Sequence, residues 1–305
     1  MKKEEPKRSY VKPILITLGV LFFVFIIVIP IMFIALSDIQ IGNVAVIPVE
    51  GIITTNGASS LTQDTISSAV IVDFIEKASD NPSVQAIILE VNSPGGSPVA
   101  SDEIATALKK VDKPTVAVIR EVGASGGYWI ATAADHIIAN RMSITGSIGV
   151  ISSYLEFSGF MDEYGIGHEQ LIAGRNKDIG SPFKKLNVEQ KAIMQGKLDT
   201  LHTFFIDEVA ENRNMDPSKV RQLATGEFYL GIEAFNSGLI DALGDRETAA
   251  AYLKSKGITD PDYIYYQREV TFFEALAGAF SDFSFHVGQG IGSLFHSQEN
   301  VVMFR

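Results

Sequence analysis

Val84-Gln85-Ala86-Ile87-Ile88-Leu89-Glu90-Val91 runs straight into Asn92-Ser93-Pro94-Gly95-Gly96, and Pro114-Thr115-Val116-Ala117-Val118-Ile119 runs soon after toward Gly123-Ala124-Ser125-Gly126-Gly127. The first run is a mostly apolar strand of the kind buried on both faces of a parallel sheet. Between the two runs, Ala100 to Val111 has helical spacing. Upstream, Val44 to Gly51 reads as a strand entering a turn, and Thr65 to Lys77 as a helix broken by Asp80-Asn81-Pro82. Downstream, Gly123 to Ala134 reads as a turn entering a helix, and Asp135 to Ala139 as a short strand. Strand, turn, helix and strand in repetition predict an α/β fold with parallel pairing.

The rest of the chain is organised around that core. A long helix is expected from Val188 to Arg213 and a short one from Asp216-Pro217 to Leu223, with Phe228-Tyr229 and then Ala234 to Leu239 finishing the globular part. Gln170-Leu171-Ile172 reads as a strand before a polar turn. Ile14 to Leu36 is an uncharged apolar run of 23 residues, flanked by Lys2, Lys3, Lys7, Arg8 and Lys12, with the next basic residue at Lys77. A helix of that length spans a hydrocarbon core of about 30 Å. The charge asymmetry places residues 1–13 in the cytoplasm and the bulk of the chain outside. A cleaved signal peptide is the rival, but its apolar region is normally only about 7–15 residues long. The expected organisation is therefore a cytoplasmic N-terminus (1–13), a membrane anchor (14–36), one globular domain (37–265) and an aromatic, glycine-interrupted tail (266–305). The tail is a candidate for oligomer, membrane or groove contact.

Composition narrows the chemistry. The net charge is −11 with no long basic run, which argues against nucleic acid. The absence of cysteine excludes disulfides, thiolate metal sites and a cysteine nucleophile. No pair of histidines has metal-ligand spacing, so neither a metal nor an organic cofactor is expected.

What remains is a serine among small residues. Ser125 sits where a strand hands over to a helix, and its neighbours leave room for a substrate backbone. The N–H of Gly126, together with one from Gly95-Gly96, suits an oxyanion. None of the five histidines is an obvious partner: His136 lies on the next strand, His168 in a turn, His202 on the long helix, and His286 and His296 in the tail. Lys177 is the remaining base, 52 residues after Ser125. A lysine serves near neutral pH only when desolvation destabilises its ammonium form. Asp178 would oppose that change if it faced the amine, so it is expected to point elsewhere.

Taken together, the Asn-Ser-Pro-Gly-Gly loop, Ala124-Ser125-Gly126-Gly127-Tyr128-Trp129-Ile130-Ala131, Thr145-Gly146-Ser147-Ile148-Gly149-Val150 and Lys177 before Ser181-Pro182-Phe183 resemble the signal peptide peptidase A family (peptidase S49) in its short, membrane-anchored form. The resemblance runs from about Val44 to Lys254, with departures at Glu90 and Asn176. It implies a ClpP/crotonase-like β-α superhelix and a serine endopeptidase. Ser125 would be the nucleophile and Lys177 the base, with Gly96 and Gly126 as oxyanion donors and Ser147 orienting the lysine. It also implies homo-oligomeric rings or domes at the membrane, acting on cleaved signal peptides or other short apolar peptides. Two other readings stay open. A crotonase-type acyl-CoA enzyme would bind CoA. A membrane scaffold of the stomatin-partner type would tolerate loss of Ser125.

Overall fold

The computed structural model describes residues 11–29, 31–32, 42–57 and 65–267. The chain divides into a unit of residues 41–267 and a second unit holding both termini.

In the terminal unit, helix α1 covers Val11–Phe23, and a π-helical turn follows over Val24–Val28. The described side chains from Ile16 to Val28 are exposed. Of the expected anchor over 14–36, the described residues 14–29 and 31–32 are helical. Among the described residues no helix is long and apolar enough to cross a membrane. Residues 30 and 33–36 of the expected anchor, and residues 268–305 of the expected tail, lie outside the described residues.

The large unit opens with β1 (Val44–Glu50), β2 (Ile52–Thr54), β3 (Thr65–Ser67) and α2 (Ser68–Asp80). β4 (Ala86–Ser93), α3 (Pro98–Lys109), β5 (Thr115–Ala124), α4 (Gly126–Thr132) and β6 (His136–Ala139) follow. Next come β7 (Ile144–Gly146), α5 (Ser158–Glu163), α6 (Val188–Asn212), α7 (Pro217–Leu223) and β8 (Phe228–Leu230). The unit closes with α8 (Gly231–Ser237), β9 (Ala242–Leu243), α9 (Arg246–Ser255) and β10 (Tyr263–Tyr265). The main sheet runs β10-β1-β4-β5-β6-β9 and is parallel throughout. β7 joins β5 in parallel and pairs β8 antiparallel.

Alternation along the strands makes two cores. Ala45, Ile47, Val49, Ile87, Leu89, Val91, Ala117 and Ile119 face one side, against α2, α3, α4 and α6. Val44, Val46, Ala86, Ile88, Val116, Val118 and Ile138 face the other, against Ala249 and Leu253 of α9. Successive side chains point to opposite faces, so strands covered on both sides must be apolar at nearly every position. The fold is thus the α/β, parallel-rich architecture that the sequence leads one to expect.

Three boundaries differ from expectation for physical reasons. Thr65–Ser67 is strand rather than helix, because Ile66 pairs with Ile53 of β2 and the Ser67 hydroxyl donates to Thr55 O at 2.8 Å. β5 does not stop at Ile119. It pairs with β6 up to there, passes the exposed Arg120 and Glu121, then pairs with β7 from Val122 to Ala124. That change of partner carries the strand to the threshold of Ser125. Gln170–Ile172 forms no strand; Leu171 is 95% exposed and no described strand pairs with it.

One ion pair fastens the C-terminal part to the sheet. Arg213 at the end of α6 donates to both carboxylate oxygens of Asp241 (2.9 and 2.7 Å), and Asp241 also accepts from the Ile137 N–H at 2.8 Å. Burial alone would raise the Asp241 carboxyl, but hydrogen bonds and charge from Arg213 outweigh it and hold the group below its ordinary value. A depressed carboxyl stabilises the fold above its unfolded pKa, near 3.9, and that stabilisation is lost as pH falls. Asp241→Asn is expected to cost about 2 kcal/mol at pH 7 and much less at pH 3. Denaturant unfolding of both proteins at the two pH values checks it, and a pH-independent difference would rule out the ionic contribution.

Candidate active site

Ser125 is the residue between β5 and α4, and its backbone is unusual. With φ 52° and ψ −122° it occupies a region that side chains rarely adopt. Among the described residues only Ser125, Ser147 and Asn214 are non-glycines with positive φ. Two bonds hold the conformation: Ser125 N–H donates to Gly146 O at 2.8 Å, and Ser125 O accepts from Trp129 N–H at 2.9 Å. The turn leaves Ser125 partly exposed between buried Ala124 and Gly126. Strain of this kind, on a serine between a strand and a helix, is how a nucleophile is presented to solvent.

The two glycine segments meet at this serine. Gly95 has φ +102°, and a Cβ on it would lie 2.8 Å from Ser125 Cβ and 2.7 Å from Gly126 N. A Cβ on Gly126 would lie 3.2 Å from Gly96 N and 2.3 Å from the buried Ser101 hydroxyl. Gly126 is the first residue of α4, a position whose N–H has no intrahelical acceptor. Around Gly96 the bonding is explicit: Ile53 N–H donates to Gly95 O at 2.9 Å and Ser97 N–H donates to Ile53 O at 2.8 Å. That pairing bypasses the Gly96 N–H. Two N–H groups close together beside a hydroxyl are an arrangement able to receive a tetrahedral oxyanion.

The other predicted residues are placed differently. Ser147 lies one residue past the Ala124–Gly146 register pair, so its backbone is near that of Ser125. Its hydroxyl donates to Gly226 O at 3.2 Å rather than to a lysine. Lys177 sits on the exposed stretch that separates α5 from α6, and no hydrogen bond or ion pair joins its amine to Ser125 or Ser147. Asp178 does point elsewhere: its carboxylate pairs with Lys184. The described histidines are occupied away from Ser125. His136 stacks on Tyr252 at 4.1 Å, His168 packs on Phe183 at 4.5 Å, and His202 Nε2 meets Ile148 O at 3.2 Å.

This site can be set beside known proteins. The profile described as Peptidase family S49 matches residues 107–257. An Enterococcus faecium protein named as a signal peptide peptidase, SppA, is 36% identical over 230 residues, covering 74% of this chain and 67% of that one. The chain belongs to peptidase family S49. It is similar as well to a Methanocaldococcus jannaschii protein named as a protease, 32% identical over 76% of this chain and 74% of the other. Protease 4 of Haemophilus influenzae is 35% identical over 66% of this chain, which corresponds to 33% of that longer protein. Membership makes this chain a serine protease.

In this S49 protease, two buried hydroxyls near the glycine loop, those of Ser93 and Ser101, are what sequence reasoning passed over. Gly95 supplies the close approach to Ser125 that brings the two segments together. Ser93 and Ser101 are fully buried beneath the glycine loop. The only sequence signal for them is that each is a hydroxyl placed next to a glycine turn or its following helix, among otherwise apolar core positions.

Proposed function

We propose that this S49 protease is a membrane-anchored endopeptidase that cuts remnant signal peptides or other short apolar peptides, with Ser125 as nucleophile and Lys177 as base. The observation that carries the reading is the strained Ser125 facing two uncommitted glycine N–H groups. The Ser125 hydroxyl attacks the peptide carbonyl while Lys177, in its neutral form, takes the proton. Gly96 and Gly126 N–H groups stabilise the oxyanion. The lysine ammonium then protonates the leaving amine, and the regenerated amine activates water to release the acyl group from Ser125.

The exposed lysine arm bears on the state in which this works. Ile151 and Leu171 are 91% and 95% exposed, and Leu155, Phe160 and Ile166 are also open to solvent. So much apolar surface on one arm suits burial against another copy of the chain. A ring or dome of subunits would cover it, give Lys177 a dry setting beside a serine and admit only small or unfolded peptides. Ser147 would orient the lysine amine in that assembled site. The apolar run 14–36 is the proposed anchor, with residues 1–13 cytoplasmic and the globular unit outside.

Full-length protein in detergent micelles is expected to cleave an apolar fluorogenic peptide. A fluorophosphonate probe is expected to label it at Ser125, mapped by mass spectrometry. Failure to label Ser125 in protein that elutes as a folded oligomer would overturn the nucleophile assignment, and failure on a broad peptide panel would overturn the substrate class.

A further inference from the structure

Two adjacent glycine N–H groups, those of Gly95 and Gly96, lie within reach of the site, and glycine itself does little to choose between them. Its φ and ψ are so permissive that either peptide plane can turn. The structure nevertheless makes a choice. Gly95 is buried and Gly96 exposed.

The group that chooses is the Ser93 hydroxyl. Ser93 has no exposed surface and stands where β4 leaves the sheet, at the register shift against β5. Its Oγ is 2.6 Å from Gly51 O and 3.1 Å from Gly95 N. A hydroxyl carries one proton and two lone pairs. A carbonyl only accepts, so the proton goes to Gly51 O. What Oγ has left is acceptor capacity, which takes the Gly95 N–H.

The surrounding bonds fix the remaining groups of the loop. Gly51 N–H donates to Asn92 O at 3.1 Å, and Asn92 Oδ1 accepts from the Val122 N–H at 3.2 Å. Gly95 O and Ser97 N–H are both engaged by Ile53. Of the three N–H groups from Gly95 to Ser97, those of Gly95 and Ser97 have partners and that of Gly96 has none.

We infer that Ser93 is a positioning residue of this S49 protease: by accepting the Gly95 N–H it orients the loop so that the Gly96 N–H faces the reacting carbonyl. Ser93 touches no substrate and moves no proton in the reaction. The inference rests on the reading of Gly96 as an oxyanion donor. Without the hydroxyl, the Gly95 N–H is left buried and unpaired, and the loop relieves that penalty by turning. The Gly96 donor then leaves its station.

The test uses full-length protein with Ser93→Ala and Ser93→Cys, the thiol being a near-isosteric but weaker donor and acceptor. Ser93→Ala is expected to lower kcat by about 10–10²-fold with KM within about threefold, short of the loss of an entire oxyanion donor. Affinity for a peptide aldehyde, whose adduct with Ser125 places an oxygen in the hole, should fall by the same factor as kcat/KM. Binding of a product peptide should hold. Ser93→Cys should lie between. A loss confined to KM, or aldehyde binding that is unchanged, overturns the inference. Amide exchange reads the geometry without turnover: Ser93→Ala should deprotect the Gly95 amide while Ile87, Leu89 and Val116 stay protected. Unchanged protection at Gly95 overturns the inference even if the peptidase reading holds. Deprotection at Gly95 on Ser93→Ala, in a protein whose wild type shows no turnover, supports the bond and fails the peptidase reading instead.

Discussion

Ser125→Ala is expected to abolish peptide hydrolysis, with a fall in kcat on the order of 10⁶ when the nucleophile of such a unit is removed. Lys177→Ala should fall nearly as far, and the double variant no further. The two groups act in one step: without the base the hydroxyl keeps its proton, and without the hydroxyl the base has nothing to deprotonate. A Lys177→Ala protein that keeps near-normal turnover would place the base elsewhere. The fold should survive both changes, since Lys177 is exposed and Ser125 makes its structural bonds through the backbone. Position 125 carries a second signature. At φ 52° alanine retains the strain of serine, whereas glycine does not. Ser125→Gly is therefore expected to be about 1 kcal/mol more stable than Ser125→Ala. Denaturant unfolding of the two inactive variants measures it, and equal stabilities would mean that the turn stores no strain.

Gly96→Ala is the second large effect. A Cβ on Gly96 would lie 2.0 Å from Ile53 O and 2.7 Å from Ile53 N. Both are backbone atoms of β2, held by their own bonds to Gly95 and Ser97, so they have nowhere to retreat. The loop must move instead, and with it the Gly96 N–H. Turnover is expected to fall by 10²-fold or more, about what one oxyanion donor contributes. The overpacked backbone should cost about 1–3 kcal/mol as well. Gly226→Ala is a useful comparison. Gly226 also has positive φ, but a Cβ there meets nothing within 4 Å, so it reports backbone strain without a clash. If Gly96→Ala keeps full activity in folded protein, the second donor is another group.

These effects show how much of the site could be read from the chain. The glycine segments were legible because only a residue without Cβ permits the contact at Gly95 and Gly96. The serine was legible because small neighbours flank it. The parallel sheet was legible because β1, β4 and β5 are covered on both faces and so are apolar at nearly every position. The end of β5 was not. Arg120 and Glu121 look like a strand terminus, and only the change of partner from β6 to β7 explains why the strand continues. The buried hydroxyls of Ser93 and Ser101 were equally hidden, because a serine has the same appearance in a sequence whether it caps, bridges or faces water.

Residue type and order alone establish the local chemistry of this S49 protease: which residue is the nucleophile candidate, which turns need glycine, where the alternation of an α/β core lies, and where a 23-residue apolar run sits. Those properties depend on residue type and spacing along the chain. The folded chain alone shows that residues 95–96 and 125–126 meet, that Ser125 is held at positive φ by Gly146 and Trp129, and that Ser93 leaves one glycine N–H uncommitted. Each of these joins segments about 30 residues apart or turns on the direction of a single hydrogen bond. Such contacts are set by how the strands register and pack, which residue type and spacing do not encode.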